Sequence, residues 1–236
     1  MKICAISDTH CHHDKLVIPE CDLLLHSGDF TSMGRVSEIY SFFEWAASID
    51  VKNIVVCPGN HDIMFEDQWP FALKTISSAL PPHIMQAGAE EKKAVFNLTD
   101  TDVTITILNQ GVTTIDGLKI WGEPRTPAFG DGWAFNVSRG AKSIWGEMPS
   151  DIDLLLAHGP PLGCGDVVRR DDSMIHVGCY DLAERIKKDT VLKTVVCGHI
   201  HEGYGLYGLS GTDIYNVSNM NERYQLLNSP VEFEIG

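Results

Sequence analysis

Five short apolar runs of this chain each end in residues of the kinds that bind metal ions. Lys2 to Ser7 leads into Asp8-Thr9-His10, and Asp22 to Ser27 leads into Gly28-Asp29. Asn53 to Cys57, closed by Pro58-Gly59, leads into Asn60-His61-Asp62. Asp153 to Ala157 precedes His158-Gly159-Pro160-Pro161, and Thr194 to Cys197 precedes Gly198-His199-Ile200-His201. Short apolar runs bounded by turn formers read as buried strands. In α/β sheets, ligands gather at the carboxyl ends of strands, where loops converge. One D-x-H arises often by chance, and G-D or N-H pairs are ordinary turn chemistry. The constraint lies in all five recurring at the same kind of place, which delivers carboxylate, carboxamide and imidazole to one rim.

The rest of the chain fills in around these runs. Between Arg35 and Ile49 the apolar positions Val36, Ile39, Tyr40, Phe43 and Ala47 have helical spacing, and Asp181 to Lys188 is a second helix. From Val103 to Ile107 apolar residues alternate with threonine, and Leu118 to Trp121 is another short β segment. The Asp116-Gly117 turn between them predicts hairpins rather than crossover helices in the middle of the chain. Short strands are expected over Asp213 to Val217, Tyr224 to Leu227 and Val231 to Ile235. With no repeat, low-complexity tract or linker, the 236 residues read as one domain. Strand–helix units at both ends with hairpins between them predict two packed sheets with helices outside.

Composition narrows the partners. The chain has 18 basic residues against 32 acidic ones, a formal net charge of -14. Gripping duplex nucleic acid takes a basic stripe that displaces counterions from phosphates, so long polynucleotides are disfavoured substrates. No apolar run approaches the ~20 residues a bilayer span needs, so no membrane association is expected. The apolar tetrapeptide before Asp8 is too short for a signal peptide. The seven cysteines are an odd number, and Cys4, Cys57 and Cys197 sit inside apolar strands. They read as reduced packing thiols, and the expected location is the cytoplasm. Nothing in the sequence bears on oligomeric state.

The series D-x-H, G-D, G-N-H-D, H and G-H-x-H resembles the calcineurin-like metallophosphoesterases. Longer strings narrow the resemblance: Trp121-Gly122-Glu123-Pro124, Phe129-Gly130-Asp131, Trp133-Ala134-Phe135-Asn136, His158-Gly159-Pro160-Pro161-Leu162-Gly163 and Gly198-His199-Ile200-His201-Glu202-Gly203-Tyr204-Gly205. They look like the metallophosphoesterase-domain-containing subfamily, whose animal members are brain and adrenal proteins and which has many microbial relatives. The match runs over nearly the whole chain, with Leu73 to Asp102 the least distinctive stretch. The fold it implies is a four-layer α/β/β/α sandwich of two mixed sheets flanked by helices. The resemblance also implies that Asp8, His10 and His201 hold one divalent metal, that Asn60, His158 and His199 hold another, and that Asp29 bridges them. A bridging carboxylate keeps two cations about 3.5–4 Å apart despite their repulsion, and the pair activates a shared water as hydroxide. Mixed nitrogen and oxygen ligands suit Mn²⁺, Fe²⁺ or Zn²⁺ better than Ca²⁺, with Mn²⁺ favoured. Some animal members of the subfamily carry glycine at the position of His199. Here the G-H-x-H pair is intact.

Other residues carry alternatives. His61, beside Asn60, is placed to hydrogen-bond the phosphate and protonate the leaving alkoxide, or is an ordinary turn histidine. Asp62 either holds that imidazole in its useful tautomer or caps the next helix. Cys11, His12 and His13 form a possible zinc cluster only if consecutive residues face one ion. Cys164 is a loop cysteine or a redox ligand. Arg169 and Arg170, with Asp166 and His176 nearby, belong to a solvated charged loop or contact a substrate phosphate or base. Arg125 is a further candidate for substrate contact, in a Glu123 to Phe129 stretch less aromatic than the resemblance implies, a departure that counts against base stacking there. Asn136 hydrogen-bonds substrate or forms a turn.

The function expected is hydrolysis of small phosphodiesters such as 2′,3′-cyclic nucleotides, with the diester preference supplied by the resemblance alone. One alternative is a phosphomonoester or phosphoprotein phosphatase, although Gly28 to Ser32 offers no phosphate-gripping arginine. A second is a nucleotide-binding regulatory protein with vestigial activity, against which the intact Asn60, His61, His158, His199 and His201 argue.

Overall fold

The structure is a computed structural model that describes residues 1–66, 69–90, 92–140 and 143–236. The three N-terminal ligand-bearing runs form β1 (Lys2–Ile6), β2 (Leu23–His26) and, after helix α1 (Val36–Ser48), β3 (Asn53–Val56). There follow α2 (Trp69–Ala79), β4 (Ile84–Glu90), β5 (Lys93–Leu98), β6 (Thr104–Leu108), β7 (Gly111–Ile115) and β8 (Leu118–Glu123). Short pieces β9 (Thr126–Pro127), β10 (Asn136–Val137) and α3 (Ser143–Gly146) lead to β11 (Leu154–Ala157). The hairpin β12 (Val167–Arg170) and β13 (Ser173–His176) precedes α4 (Tyr180–Lys188) and β14 (Thr194–Cys197). The chain closes with β15 (Gly205–Leu209), β16 (Thr212–Asn216) and β17 (Val231–Glu234).

These strands make two large mixed sheets, one in the order β17-β1-β2-β3-β6-β5-β4 and one in the order β15-β16-β14-β11-β8-β7. In the first, β1, β2 and β3 are parallel, and the register sets Ile6 beside His26 and His26 beside Val56. Their loops therefore leave from one rim. In the second, β11 and β14 are parallel with Leu156 beside Val196, so the His158 and His199 loops also leave together.

Strand alternation explains the layering. Ile3, Ala5, Leu23, Leu25 and Val55 face inward and pack on Ile120, Leu154, Leu156 and Val196 of the second sheet. Their neighbours Cys4, Ile6, Leu24, Ile54 and Val56 face outward under α1 and α2, against Phe42, Phe43 and Leu73. On the far side Trp121, Leu155 and Val195 pack under Leu182 and Ile186 of α4. Three apolar seams separate four layers, helix, sheet, sheet and helix, as expected. Each fully buried large side chain in them contributes about 1.5–3 kcal/mol of transfer free energy. No described helix is long and apolar enough to cross a membrane.

Several expectations change. The buried face of α1 is centred on Ile39, Phe42, Phe43, Trp45 and Ala46, while Val36, Tyr40 and Ala47 lie at its margin. The Asp116-Gly117 turn does form a two-residue hairpin, with Ile115 opposite Leu118 and both turn residues at positive φ. The Val103 to Ile107 run is not its partner. As β6 it lies parallel to β3 in the other sheet, paired by a hairpin to β5 from the indistinct Leu73 to Asp102 stretch. The Tyr224 to Leu227 segment is not a strand: Tyr224 sits at φ 56 in a turn closed by its N–H on the Asn221 carbonyl.

Candidate metal centre

All seven ligand-type residues named from the sequence arrive at one place. Asp8 and His10 follow β1, Asp29 follows β2, Asn60 follows β3, His158 follows β11, and His199 and His201 follow β14. Three overlapping groups, Asp8–His10–His201, His10–Asp29–His61 and Asp29–His158–His199, each have ligand atoms within 4.8 Å of one another. Asp29 Oδ2 lies 3.5 Å from His158 Nε2 and 4.0 Å from His10 Nε2, and so stands between the outer groups. Asn60 Oδ1 is 2.9 Å from His158 Nε2. His201 Nε2 is 3.5 Å from both Asp8 Oδ1 and His10 Nε2.

The backbone is bent to achieve this. Asp8, His10, Asp29 and His199 all have φ between 40° and 66°, a region uncommon for non-glycine residues and costing of order 1–3 kcal/mol each. The turns are over-determined by hydrogen bonds between loops, both across the two sheets and within the first. The His199 N–H donates to both Asp8 oxygens at 3.1 and 3.0 Å, and the His61 N–H donates to Asp29 Oδ1 at 2.8 Å. Two glycines permit the close approach. A Cβ on Gly59 would collide with Asp29 Oδ1 and the His158 ring, and one on Gly198 would collide with Ser7 and Asp8 Oδ2.

The donor set fits a pair of cations. Carbonyls only accept, so the ring nitrogens that meet them carry the proton. His158 Nδ1 donates to the Ser27 carbonyl at 2.9 Å, and His201 Nδ1 donates to the Asn221 carbonyl at 2.9 Å. Their Nε2 lone pairs thus face Asn60 Oδ1, Asp29, Asp8 and His10, and acceptors turned toward acceptors call for positive charge between them. Carbonyl-anchored imidazoles of this kind are a recurrent second layer around metals. Without metal, protons fill the role. Burial disfavours a charged ring, yet Asp29 and Asp8 outweigh it and hold His158 at a pKa of about 9. His201, opposed by burial but bonded to Asp8, is likewise raised to about 9. Burial pushes His10 down to about 4 and His199 down to about 3, so both are neutral ligands already.

This has a measurable sign. Metal entry displaces the protons on His158 and His201, so apparent Mn²⁺ affinity is expected to rise with pH between 6.5 and about 9. The rise is up to about tenfold per pH unit for each proton displaced, and affinity falls on acidification. Calorimetric Mn²⁺ titrations across that range check it, and a flat profile would contradict the arrangement.

The other sequence-named residues separate. His61 lines the cleft, with Nδ1 donating to the Ser32 carbonyl at 2.7 Å and Trp133 lying on its ring at 4.2 Å between centroids. Asp62 is corrected on both counts. Its fully buried carboxylate accepts from the Asp29 and Gly59 N–H groups (2.9 and 2.7 Å) and from the Thr31 N–H and hydroxyl (2.9 and 2.7 Å). With those four bonds it neither orients His61 nor caps the following turn; it clamps the Asp29 loop to the Asn60 loop. Arg125 is also corrected, because it forks onto buried Glu123 at 2.7 and 2.8 Å and reaches Glu147 at 3.2 Å, away from the cleft. Arg170 lines the cleft, whereas Arg169 alternates to the other face of β12. His12 bonds the His10 carbonyl and His13 packs under α1 against Phe42 and Trp45, so neither joins the candidate metal groups among the described residues. Cys164 is a buried packing residue, and the Asn136 side-chain amide closes a turn on the Gly130 carbonyl.

Among the cleft residues that sequence reasoning missed, four are aromatic or cationic. Trp133 and Phe129, the latter 4.8 Å from the His199 ring, were visible only as parts of strings that carry the family resemblance. Tyr224 packs 5.0 Å from His10 and 5.1 Å from His201, and Arg139 lies on the wall, with nothing in their neighbours to signal either position.

The calcineurin-like phosphoesterase family model matches residues 1–203. The chain is 33% identical over 232 residues to the human and mouse metallophosphoesterase domain-containing protein 1, an overlap of 98% of this chain and 69% of each relative. It is 35% identical over 224 residues to a UPF0046 protein of Caenorhabditis elegans, covering 92% of this chain and 55% of that one. With the two-sheet sandwich and the clustered aspartates and histidines, these matches make the chain a member of the calcineurin-like phosphoesterase family and a metal-dependent phosphoesterase.

Proposed function

We propose that the protein is a phosphodiesterase acting on small diesters, with 2′,3′-cyclic nucleoside monophosphates as the leading substrates. Asp8, His10 and His201 hold one divalent ion, Asn60, His158 and His199 the other, and Asp29 bridges them, with Mn²⁺ preferred over Fe²⁺ and Zn²⁺. When bound, such a pair neutralises phosphoryl oxygens and makes water more acidic. A single domain over residues 1–236 in a cytoplasmic setting belongs to the same proposal.

The observation that carries the diester reading is the setting of His61. Its Nδ1 is committed to the Ser32 carbonyl, so Nε2 is the nitrogen left for the cleft. A ring fixed in this way can hold a proton at Nε2 for an alkoxide, a leaving group that departs poorly without one. A phosphomonoester, with its extra charge, is typically gripped by arginine forks. The loops carrying Asp8, Asn60, His158 and His199 contain no arginine, and the Asp29 loop has none before Arg35, which is absent from the cleft lining; this supports the diester over the phosphatase alternative. Arg125 spent on Glu123, and Arg169 turned away, also leave no continuous basic groove for a polynucleotide among the described residues.

A turnover screen with Mn²⁺ tests this. Bis-para-nitrophenyl phosphate is expected to be hydrolysed faster than para-nitrophenyl phosphate, and 2′,3′-cyclic AMP faster than 3′,5′-cyclic AMP. Preference for the monoester would give first place to the phosphatase reading, and nucleotide binding without turnover would give it to the regulatory one. Rate per scissile bond should fall steeply from 2′,3′-cyclic AMP to a long single strand, because the net charge of -14 opposes a polyanion. Salt should barely affect the mononucleotide. Tight strand binding that decays steeply with salt would overturn the size limit.

A further inference from the structure

The cleft extends beyond the metal centre. Its volume is about 920 Å³, near the top of the ~300–1,000 Å³ range of small-molecule sites. Part of its wall is the β12–β13 hairpin. Val168 pairs with Ile175 and Arg170 with Ser173, so Arg170 shares a face with Val168 and Ile175, and all three line the cleft. The hairpin is fixed relative to the metal centre. Asn216, fully buried, donates through Nδ2 to the Gly165 carbonyl at its base and to the Ile200 carbonyl between His199 and His201, at 2.9 and 3.0 Å.

Two more cationic or ligand-type side chains stand on this wall. Fully buried Asp166 accepts from His176 Nδ1 at 2.7 Å and from the Gly178 N–H at 3.0 Å. That ties the His176 ring to Asp166 on the hairpin face that carries Val167 and Arg169. Arg139 donates to the Val177 carbonyl at 3.1 Å and also lines the cleft. Among the described residues neither Arg139 nor Arg170 is ion-paired with a carboxylate, although Asp171 and Asp172 directly follow Arg170. Elsewhere Arg125, Arg185 and Arg223 each have a carboxylate partner, while the exposed Arg35 and Arg169 have none among the described residues. Asp131, Glu202 and Glu222 also line the cleft. Guanidinium forks on the wall of a cleft are the chemistry of phosphate recognition.

We propose that this wall is a second anion subsite, in which Arg139 and Arg170 bind an additional terminal phosphate of a substrate whose scissile diester lies at the metal centre. It rests on the diester reading above and narrows the substrate class to cyclic nucleotides that also carry a 5′-phosphate. The diester would be positioned from two ends, one by the metal centre and one by the hairpin wall.

The test is a matched pair, 2′,3′-cyclic AMP and its 5′-phosphorylated counterpart, with the Mn²⁺-loaded protein and an Arg139→Ala/Arg170→Ala double variant. Both arginines are exposed, and unchanged Mn²⁺ content verifies the fold of the variant. KM is read from turnover and Kd from calorimetry at low salt. Wild type should favour the phosphorylated ligand by about tenfold or more, as charge-assisted hydrogen bonds allow, and the double variant should bring the ratio close to one. Equal affinities in wild type, or a preference that survives in the double variant, would overturn the subsite. If neither compound is turned over but the Kd preference appears and is lost in the variant, the subsite stands and the diester reading fails.

Discussion

Asp29→Ala is expected to empty the metal centre and abolish turnover. Among the described residues Asp29 is the one carboxylate in contact with both halves of the cluster, 4.0 Å from His10 Nε2 and 3.5 Å from His158 Nε2. It is buried, and although burial opposes its charge, His158 and His10 keep its pKa well below the usual carboxylate range, so it is ionised and ready to bind cations. Loss of groups merely behind metal ligands costs about 10–100-fold in affinity or activity. Removing a bridging ligand should exceed that, with most bound metal lost by elemental analysis and kcat/KM down at least about 100-fold. Alanine also deletes the acceptor of the His61 N–H. Asp29→Asn separates the two effects, since it keeps an acceptor oxygen but loses the charge. Full metal occupancy with wild-type turnover in either variant would refute the bridging role.

His61→Ala should do the reverse, keeping metal and losing chemistry. The ring is held from two sides, by the Ser32 carbonyl and by Trp133, but its edge toward the cleft is open. General acid catalysis is worth about 10²–10⁴-fold. The variant should lose that factor on 2′,3′-cyclic AMP, whose leaving alkoxide needs a proton. It should lose clearly less on bis-para-nitrophenyl phosphate, whose phenolate leaves without one. Equal losses on both would make His61 a phosphate-positioning group, and lost Mn²⁺ would make it a ligand, as its place in the His10–Asp29–His61 group permits. Trp133 has no polar role there, so Trp133→Ala should loosen the ring and produce a weaker version of the same substrate-dependent loss.

What the sequence by itself determined is the chemistry adjacent to each strand. Asp8, Asp29, Asn60, His158 and His199 lie within a few residues of apolar runs, so the pattern that announces the strand also announces its ligand. Parallel pairing then carries the loops to one rim, and alternation within each run foretells two sheets with helices outside. Indistinct segments were the exception. The α2, β4 and β5 region has a short amphipathic helix and a bulged hairpin, with a register shift between Gln86 and Gly88, and its edge strand is mostly exposed. Such strands have too weak an apolar alternation to be read.

Only the tertiary structure decided which polar residues face the cleft. Asp62 and His61 are neighbours in sequence, yet one carboxylate is consumed by four donors, three of them from residues 29 and 31, while the imidazole turns to the Ser32 carbonyl. Arg125 was claimed by Glu123, and β-alternation sent Arg169 and Arg170 to opposite faces. Tyr224 comes to the histidines from a tail read as a strand, and Arg139 joins His176 through the Val177 carbonyl. Even the Asp8 carboxylate is fixed by an N–H 191 positions away. Local sequence encodes which atoms can bind metal and phosphate; contacts between distant segments set which of them are spent within the protein and which are left for a ligand.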